Sequence, residues 1–163
     1  MRTQRFAAAG PDEEIVYGAC RPGRFDDRTG PTAVTEWIAF MQQHGIDRVC
    51  CLLAAPDEGD PRLLERYRTA FGPEQVQHVP ITDFDVVDST QFHDRICPFL
   101  READQAAEPT VVHCSAGSGR TGHVLALWLV HGRGYDLRRA VETVRATGRK
   151  PLEAATMEEL RAI

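Results

Sequence analysis

Two hydrophobic spacings alternate along the chain, and each predicts an element. Ile15, Val16 and Tyr17 form a short run of strand type, and the stretch from Arg21 to Pro31, rich in Pro, Gly and Asp, reads as loop. Val34, Trp37, Ile38 and Met41 then recur at i, i+3, i+4 and i+7, the repeat of a helix with one buried face, closed by Gly45. The β-branched and apolar run from Asp47 to Leu53 has strand length. Beyond a loop over 56–61, Leu64, Tyr67 and Phe71 mark a helix ending at Gly72, and Val76 to Pro80 predicts another strand. Phe92, Ile96, Phe99, Leu100 and Ala103 share one face of a third helix, capped by Asp88 or Ser89 and kinked or split by Pro98. Thr110, Val111, Val112 and His113 predict the last strand. A glycine-rich loop follows at once, and then a helix that is apolar nearly all round, which a core must bury on most sides. Leu137, Ala140, Val141 and Val144 place one more helix after Gly134, and residues 153–162 can form a terminal one.

Strand and helix in repeated alternation predict an α/β fold: a central, mostly parallel sheet of about four to five strands flanked by helices. Residues 1–11 are set apart as a flexible N-terminal tail and residues 12–163 as a single domain, with no internal repeat. The 163 residues suit one core, and with 42% hydrophobic and 26% charged residues there is no compositional case for disorder. The 24 acidic and 19 basic residues leave a net charge of -5, and the basic ones are dispersed, with Lys150 the sole lysine. No electrostatic footprint for nucleic acid is visible, so no such partner is expected. The apolar stretch Val124 to Val130 is too short to span a bilayer, and the first ten residues lack a signal-peptide core. The expectation is a cytoplasmic protein with no membrane partner, monomeric by default. Five cysteines, an odd number without a CxxC pair, suggest neither a disulfide framework nor a zinc site.

Residues 113–122, His-Cys-Ser-Ala-Gly-Ser-Gly-Arg-Thr-Gly, carry two overlapping patterns. Gly117 to Gly122 fits G-x-G-x-x-G between a strand and a helix, as a dinucleotide fingerprint should. Its acidic partner would have to be Glu142, which falls in a helical pattern, and no strand pattern follows downstream. The second pattern is Cys114, five residues, Arg120. Backbone N–H groups of such a loop, Ser115, Ala116, Gly117, Ser118 and Gly119, point inward and form a nest for a dianion at the positive end of the helix dipole. The same field favours the thiolate of a cysteine at the loop's start, which makes Cys114 a nucleophile. The planar fork of Arg120 can hold two phosphoryl oxygens at once, as a lysine could not. Thr121 can donate a hydroxyl hydrogen bond to the departing sulfur. His113 can organise the loop through its ring nitrogens, or simply be a satisfied histidine at the strand end.

His113 to Gly122 resembles the signature loop of the cysteine-dependent protein tyrosine phosphatases, differing from the common form mainly at Ser118, where a larger apolar residue is more usual. The resemblance covers residues 12 to 163 and points to the compact, dual-specificity-like branch, whose helix-to-strand step Gly45-Ile46-Asp47-Arg48-Val49 also resembles. It implies a two-step reaction: Cys114 attacks phosphorus, a phosphocysteine forms, and water hydrolyses it without metal or other cofactor. It also implies an aspartate general acid upstream of the signature strand. Val79 to Asp85 is similar to that loop, with Asp83 the expected acid and Asp85 its alternative.

The signature loop lacks the lysines of phosphoinositide phosphatases and the bulkier residues that RNA triphosphatases carry in place of Ala116 and Ser118, which leaves phosphotyrosine, with or without phosphoserine and phosphothreonine, as the default. A phosphoester outside proteins and a silent phospho-binding module are the alternatives. Arg21, Arg24 and Arg28 lie in a loop that could border the cleft. Cys50 and Cys51 are candidate redox partners for Cys114 if their strand runs parallel beside the signature strand, and core thiols otherwise.

Overall fold

The computed structural model describes residues 4–25 and 28–163; residues 1–3 of the expected tail and 26–27 of the expected loop lie outside them. Five strands form one sheet: β1 (Ala7–Ala8), β2 (Val16–Ala19), β3 (Arg48–Leu53), β4 (Val76–Ile81) and β5 (Thr110–His113), in the order β1-β2-β5-β3-β4. β2, β5, β3 and β4 are parallel neighbours, and β1 alone is antiparallel. Part of the stretch expected as a tail thus belongs to the sheet, since Ala7 pairs with Gly18 and Ala8 with Tyr17. A two-residue strand has too little alternation to be read from its sequence.

Helices cover both faces, which is why all six residues of β3 are buried and its sequence reads as a continuous apolar run. On one face α1 (Gly30–Gln43) and α2 (Leu63–Phe71) bring Trp37, Met41 and Tyr67 onto Val49, Cys51 and Val111. On the other, Phe92, Leu100, Val124 and Leu127 pack on Cys50, Leu52 and Val112. α1 begins at Gly30, ahead of its first apolar position, because Pro31 sits in the first turn, where a missing N–H costs nothing. The expected third helix is interrupted: α3 (Ser89–Gln91) passes through a π turn, Phe92–Ile96, into α4 (Cys97–Ala106), so that Pro98 lies in a first turn. Asp88 caps the segment by accepting from the N–H groups of Thr90 and Gln91. α5 (Gly119–Arg133) starts inside the glycine-rich motif and is buried on nearly every side, while α6 (Leu137–Arg145) and α7 (Met157–Arg161) close the chain. Among the described residues no helix is long and apolar enough to cross a membrane.

Four parallel strands end at the same edge of the sheet, so the segments that follow them, from Cys20, Ala54, Thr82 and Cys114, converge there. Such a crevice outside the carboxyl ends of strands is where an open parallel sheet binds its ligand.

Candidate active site

Cys114 stands at the end of the central strand β5, 2% exposed, and its Sγ accepts a hydrogen bond from the Thr121 hydroxyl at 3.0 Å. Cys114, Ser115, Ala116, Ser118, Gly119 and Arg120 line one cleft of about 390 Å³. Gly117 faces the other way: its φ is +73°, and a Cβ there would lie 2.6 Å from the Ala19 carbonyl oxygen, so only glycine fits. Because α5 begins at Gly119, the N–H groups of its first turn have no carbonyl ahead of them within the helix and open toward the loop. Arg120 is 5% exposed, and its Nη1 donates to the Ile81 carbonyl at 2.8 Å.

Three buried side chains hold this loop from behind. His113 bonds the Cys114 carbonyl through Nδ1 (2.9 Å) and the Tyr67 hydroxyl through Nε2 (3.0 Å). A carbonyl only accepts, so Nδ1 carries the proton and Nε2 receives the hydroxyl's. Burial pulls His113 down to about 4, which keeps it in that neutral form. Tyr67 in turn stacks on Trp37, whose Nε1 donates to the Cys20 carbonyl at 2.8 Å. Arg149 donates from Nη1 to the Gly117 carbonyl (2.7 Å) and from Nη2 to the Arg5 carbonyl (2.8 Å), and burial lowers it to about 10, so it stays a cation at neutral pH. His123 bonds the Gly119 carbonyl through Nδ1 (3.1 Å), while its Nε2 accepts from the N–H of Val87 (3.0 Å); burial brings it to about 4. It therefore fastens the segment after β4 to the helix that bears Arg120.

Asp83 lies on that segment. Its Oδ1 is 3.4 Å from Arg120 Nη2 and accepts from the N–H of Phe84 at 3.1 Å. Asp85 lines neither this cleft nor the larger one beside it, and its N–H closes a turn onto the Thr82 carbonyl. Between them Phe84, 66% exposed, adopts φ +64°, a left-handed conformation costly for a residue with a Cβ. It lines the Cys114 cleft, as does Phe25 from a different segment. A second cleft of about 660 Å³ adjoins the first, sharing Asp83, Ser115 and Arg120, with Val34, Leu53 and Leu63 on its floor.

The arginine-bearing loop does border the site. Arg21 donates from its backbone N–H to the Ser115 carbonyl (2.9 Å) and from Nε to the Ser115 hydroxyl (3.3 Å). Arg24 lines the Cys114 cleft, and Arg28, paired with Glu36, lines the larger one. β3 runs parallel beside β5 with Cys51 opposite His113, but Cys50 and Cys51 point to opposite faces; both are buried free thiols, and burial raises both, Cys51 to about 12. Glu142 lies in α6 and no strand follows β5 among the described residues, so the glycine motif has no dinucleotide-type partner strand. Among the described residues no group of three or more His, Cys, Asp or Glu side chains converges as a metal site requires.

His123, Arg149, Tyr67 and Trp37 are the supporting residues that motif reading does not reach. Arg149 had one available signal: it precedes the chain's only lysine in a Gly-Arg-Lys-Pro segment outside any periodic pattern.

The family model described as polymorphic toxin system, DSP-PTPase phosphatase, matches residues 23–133. The vaccinia virus dual specificity protein phosphatase OPG106 is 30% identical over 67 residues, 41% of this chain and 39% of the viral protein. The human tyrosine-protein phosphatase non-receptor type 4 is 32% identical over 80 residues, 44% of this chain and 9% of that protein. The chain thus spans about two fifths of the viral relative's length and less than a tenth of the human one's. Among solved structures, Tk-PTP in its active form superposes with a TM-score of 0.69 at 24% identity, covering 92% of this chain and 88% of that one. P. aeruginosa TpbA, solved in complex with pTyr, gives 0.58 at 18% identity over 91% and 76%. These likenesses are likenesses of fold.

Proposed function

The chain belongs to the DSP-PTPase phosphatase family of polymorphic toxin systems, and on that premise we propose that it is a metal-independent phosphomonoesterase acting through a phosphocysteine at Cys114. The observation that carries the reading is the convergence of Cys114 Sγ, bonded by the Thr121 hydroxyl at 3.0 Å, with the Arg120 guanidinium and the Asp83 carboxylate over one anion-sized loop.

The substrate phosphoryl group enters the nest of N–H groups from Ser115 to Arg120, and two of its oxygens take the fork of Arg120. One of them occupies the place that Asp83 Oδ1 now takes beside Nη2, so substrate binding frees the carboxyl to reach the leaving oxygen. The thiolate of Cys114 attacks phosphorus in line. The phosphorus–oxygen bond breaks as Asp83 gives its proton to the departing oxygen, and a sulfur–phosphorus bond replaces it. In the second half, ionised Asp83 takes a proton from water, whose oxygen attacks phosphorus while the sulfur leaves as a thiolate, stabilised by the Thr121 hydroxyl. Fixed donors aimed at the transferring group supply most of the stabilisation. His113 and Arg149 act through the loop backbone, and Asp85 is left outside the chemistry.

Phosphotyrosine of proteins is the proposed substrate, with phosphoserine and phosphothreonine as lesser ones. Phe84 supports it, because its exposed ring lines the cleft and can serve as a wall for a flat ring. Hydrolysis of an aryl phosphate in excess EDTA, blocked by vanadate and abolished by Cys114→Ser, is the expected result. No turnover by the intact protein would sink the reading and favour a phospho-binding module.

A further inference from the structure

Residues 82–88 join β4 to α3 outside any regular element, and they carry Asp83. Thr82, Asp83, Phe84 and Asp85 are all exposed, so burial does not fix the carboxyl, and its position depends on how the two ends of the segment are held. Both ends are held by one helix. Ahead of Asp83, Arg120 donates to the Ile81 carbonyl at 2.8 Å; behind it, His123, one turn further along α5, accepts from the Val87 N–H at 3.0 Å. Substrate treats these two grips differently. A phosphoryl group competes for the fork of Arg120, beside which Asp83 Oδ1 stands at 3.4 Å. His123 is fully buried, outside the cleft that holds Cys114, and keeps its grip whether or not substrate is bound. A backbone N–H only donates, so Nε2 of His123 is the acceptor and Nδ1 carries the proton that faces the Gly119 carbonyl at 3.1 Å. The ring therefore ties the segment bearing the acid to the first turn of α5, where the anion nest ends.

We propose that His123 is a positioning residue for proton transfer, which holds the Asp83 segment over the phosphate loop once substrate has taken the fork of Arg120. The inference rests on the phosphatase reading with Asp83 as the acid. Without an acceptor at position 123 the buried N–H of Val87 is unpaired, which is costly, and the segment relieves the cost by moving toward water and taking Asp83 with it. A displacement on the order of 1 Å is enough to take a proton donor out of reach of the leaving oxygen.

The test uses kcat/KM, which covers only the steps up to the phosphocysteine. It compares phenyl phosphate, whose leaving oxygen needs a proton, with dinitrophenyl phosphate, whose leaving oxygen departs without one. His123→Leu is expected to lower kcat/KM about tenfold for phenyl phosphate and less than about twofold for dinitrophenyl phosphate. A merely structural defect lowers both alike. His123→Gln keeps an acceptor at the end of its side chain and is expected to bring phenyl phosphate back to within about threefold of the intact protein. In the Asp83→Asn protein, His123→Leu is expected to add less than about twofold, because the acid it positions is gone. Equal losses on the two substrates, or a full tenfold loss on top of Asp83→Asn, overturns the proposal. Amide hydrogen exchange reads the same strap without turnover and without relying on the leucine variant to fold. In the intact protein the Val87 amide is expected to exchange as slowly as the amides of α5, and in His123→Leu at least about tenfold faster. Fast exchange at Val87 in the intact protein overturns the strap. Absence of aryl phosphate hydrolysis in the intact protein, with Val87 protected, counts against the reaction and not against the strap.

Discussion

The floor and the rim of the Cys114 cleft are built in opposite ways. On the floor, His113, Cys114, Arg120 and Thr121 are buried, and each has a fixed partner: Tyr67 and the Cys114 carbonyl, the Thr121 hydroxyl, the Ile81 carbonyl. On the rim, Arg5, Arg24, Phe84 and Lys150 are exposed and come from separate loops. The difference separates two demands. Charge that rearranges during phosphoryl transfer needs donors that do not reorganise, which backbone and buried side chains supply. Choosing among molecules needs only side chains at the opening, where loops tolerate change.

Changes on the floor are therefore expected to cost the most. Arg120→Lys keeps the charge and loses the fork, and kcat for an aryl phosphate is expected to fall about 10³-fold, with the steady-state rate as the measure. A loss under tenfold would mean that the floor needs only a positive charge. Asp83→Asn comes next: a general acid contributes about 10²-fold or more, and the loss grows with the basicity of the leaving group. Asp85→Asn is expected to stay within about twofold, since a surface change away from the cleft perturbs little. A reversed pair of rates would move the acid from Asp83 to Asp85.

How much of this contrast the sequence shows depends on distance along the chain. The four parallel strands, most helices and the segment from Cys114 to Thr121 are legible because their information is local: a periodicity, or one loop in which the proposed nucleophile and clamp stand six positions apart. The supports of the floor are not local. Arg149 reaches back to Gly117, and Tyr67 reaches forward to His113, only because α2 and the segment after α6 pack on opposite sides of β5. His123 lies right after the motif but looks like one more residue of a buried helix until its Nε2 is seen to accept from Val87. The edge strand Ala7–Ala8 and the π turn Phe92–Ile96 are consequences of neighbours rather than of their own residues. Asp83 and Asp85 differ by two positions and could be told apart only by the turn between them.

The buried histidines give the floor a pH signature that the rim lacks. His113 and His123 are both held near 4 by burial, against 6.5 in the unfolded chain. Below pH 6.5 the unfolded state binds more protons than the folded one, so stability falls as pH drops from 6.5 toward 4, by up to about 3 kcal/mol for each histidine. Denaturant unfolding at pH 7.5 and 4.5 measures the slope, and His113→Gln or His123→Gln is expected to flatten it by about half. An unchanged slope in both variants would show that neither histidine is held neutral by the fold.

The smallest effect belongs to the rim. Phe84→Ala removes an aromatic wall worth about 0.5–1.5 kcal/mol, so KM for an aryl phosphate should rise roughly two- to tenfold with kcat unchanged. Alanine keeps a Cβ and therefore the cost of the φ of +64°, so the substitution isolates the ring. Phe84→Gly removes the ring and that cost together, and is expected to show the same KM with stability higher by about 1 kcal/mol. A fall in kcat in Phe84→Ala as large as that in Asp83→Asn would mean that the ring holds the Asp83 loop in place. Phe84 would then belong to the floor in function although it stands 66% exposed at the rim.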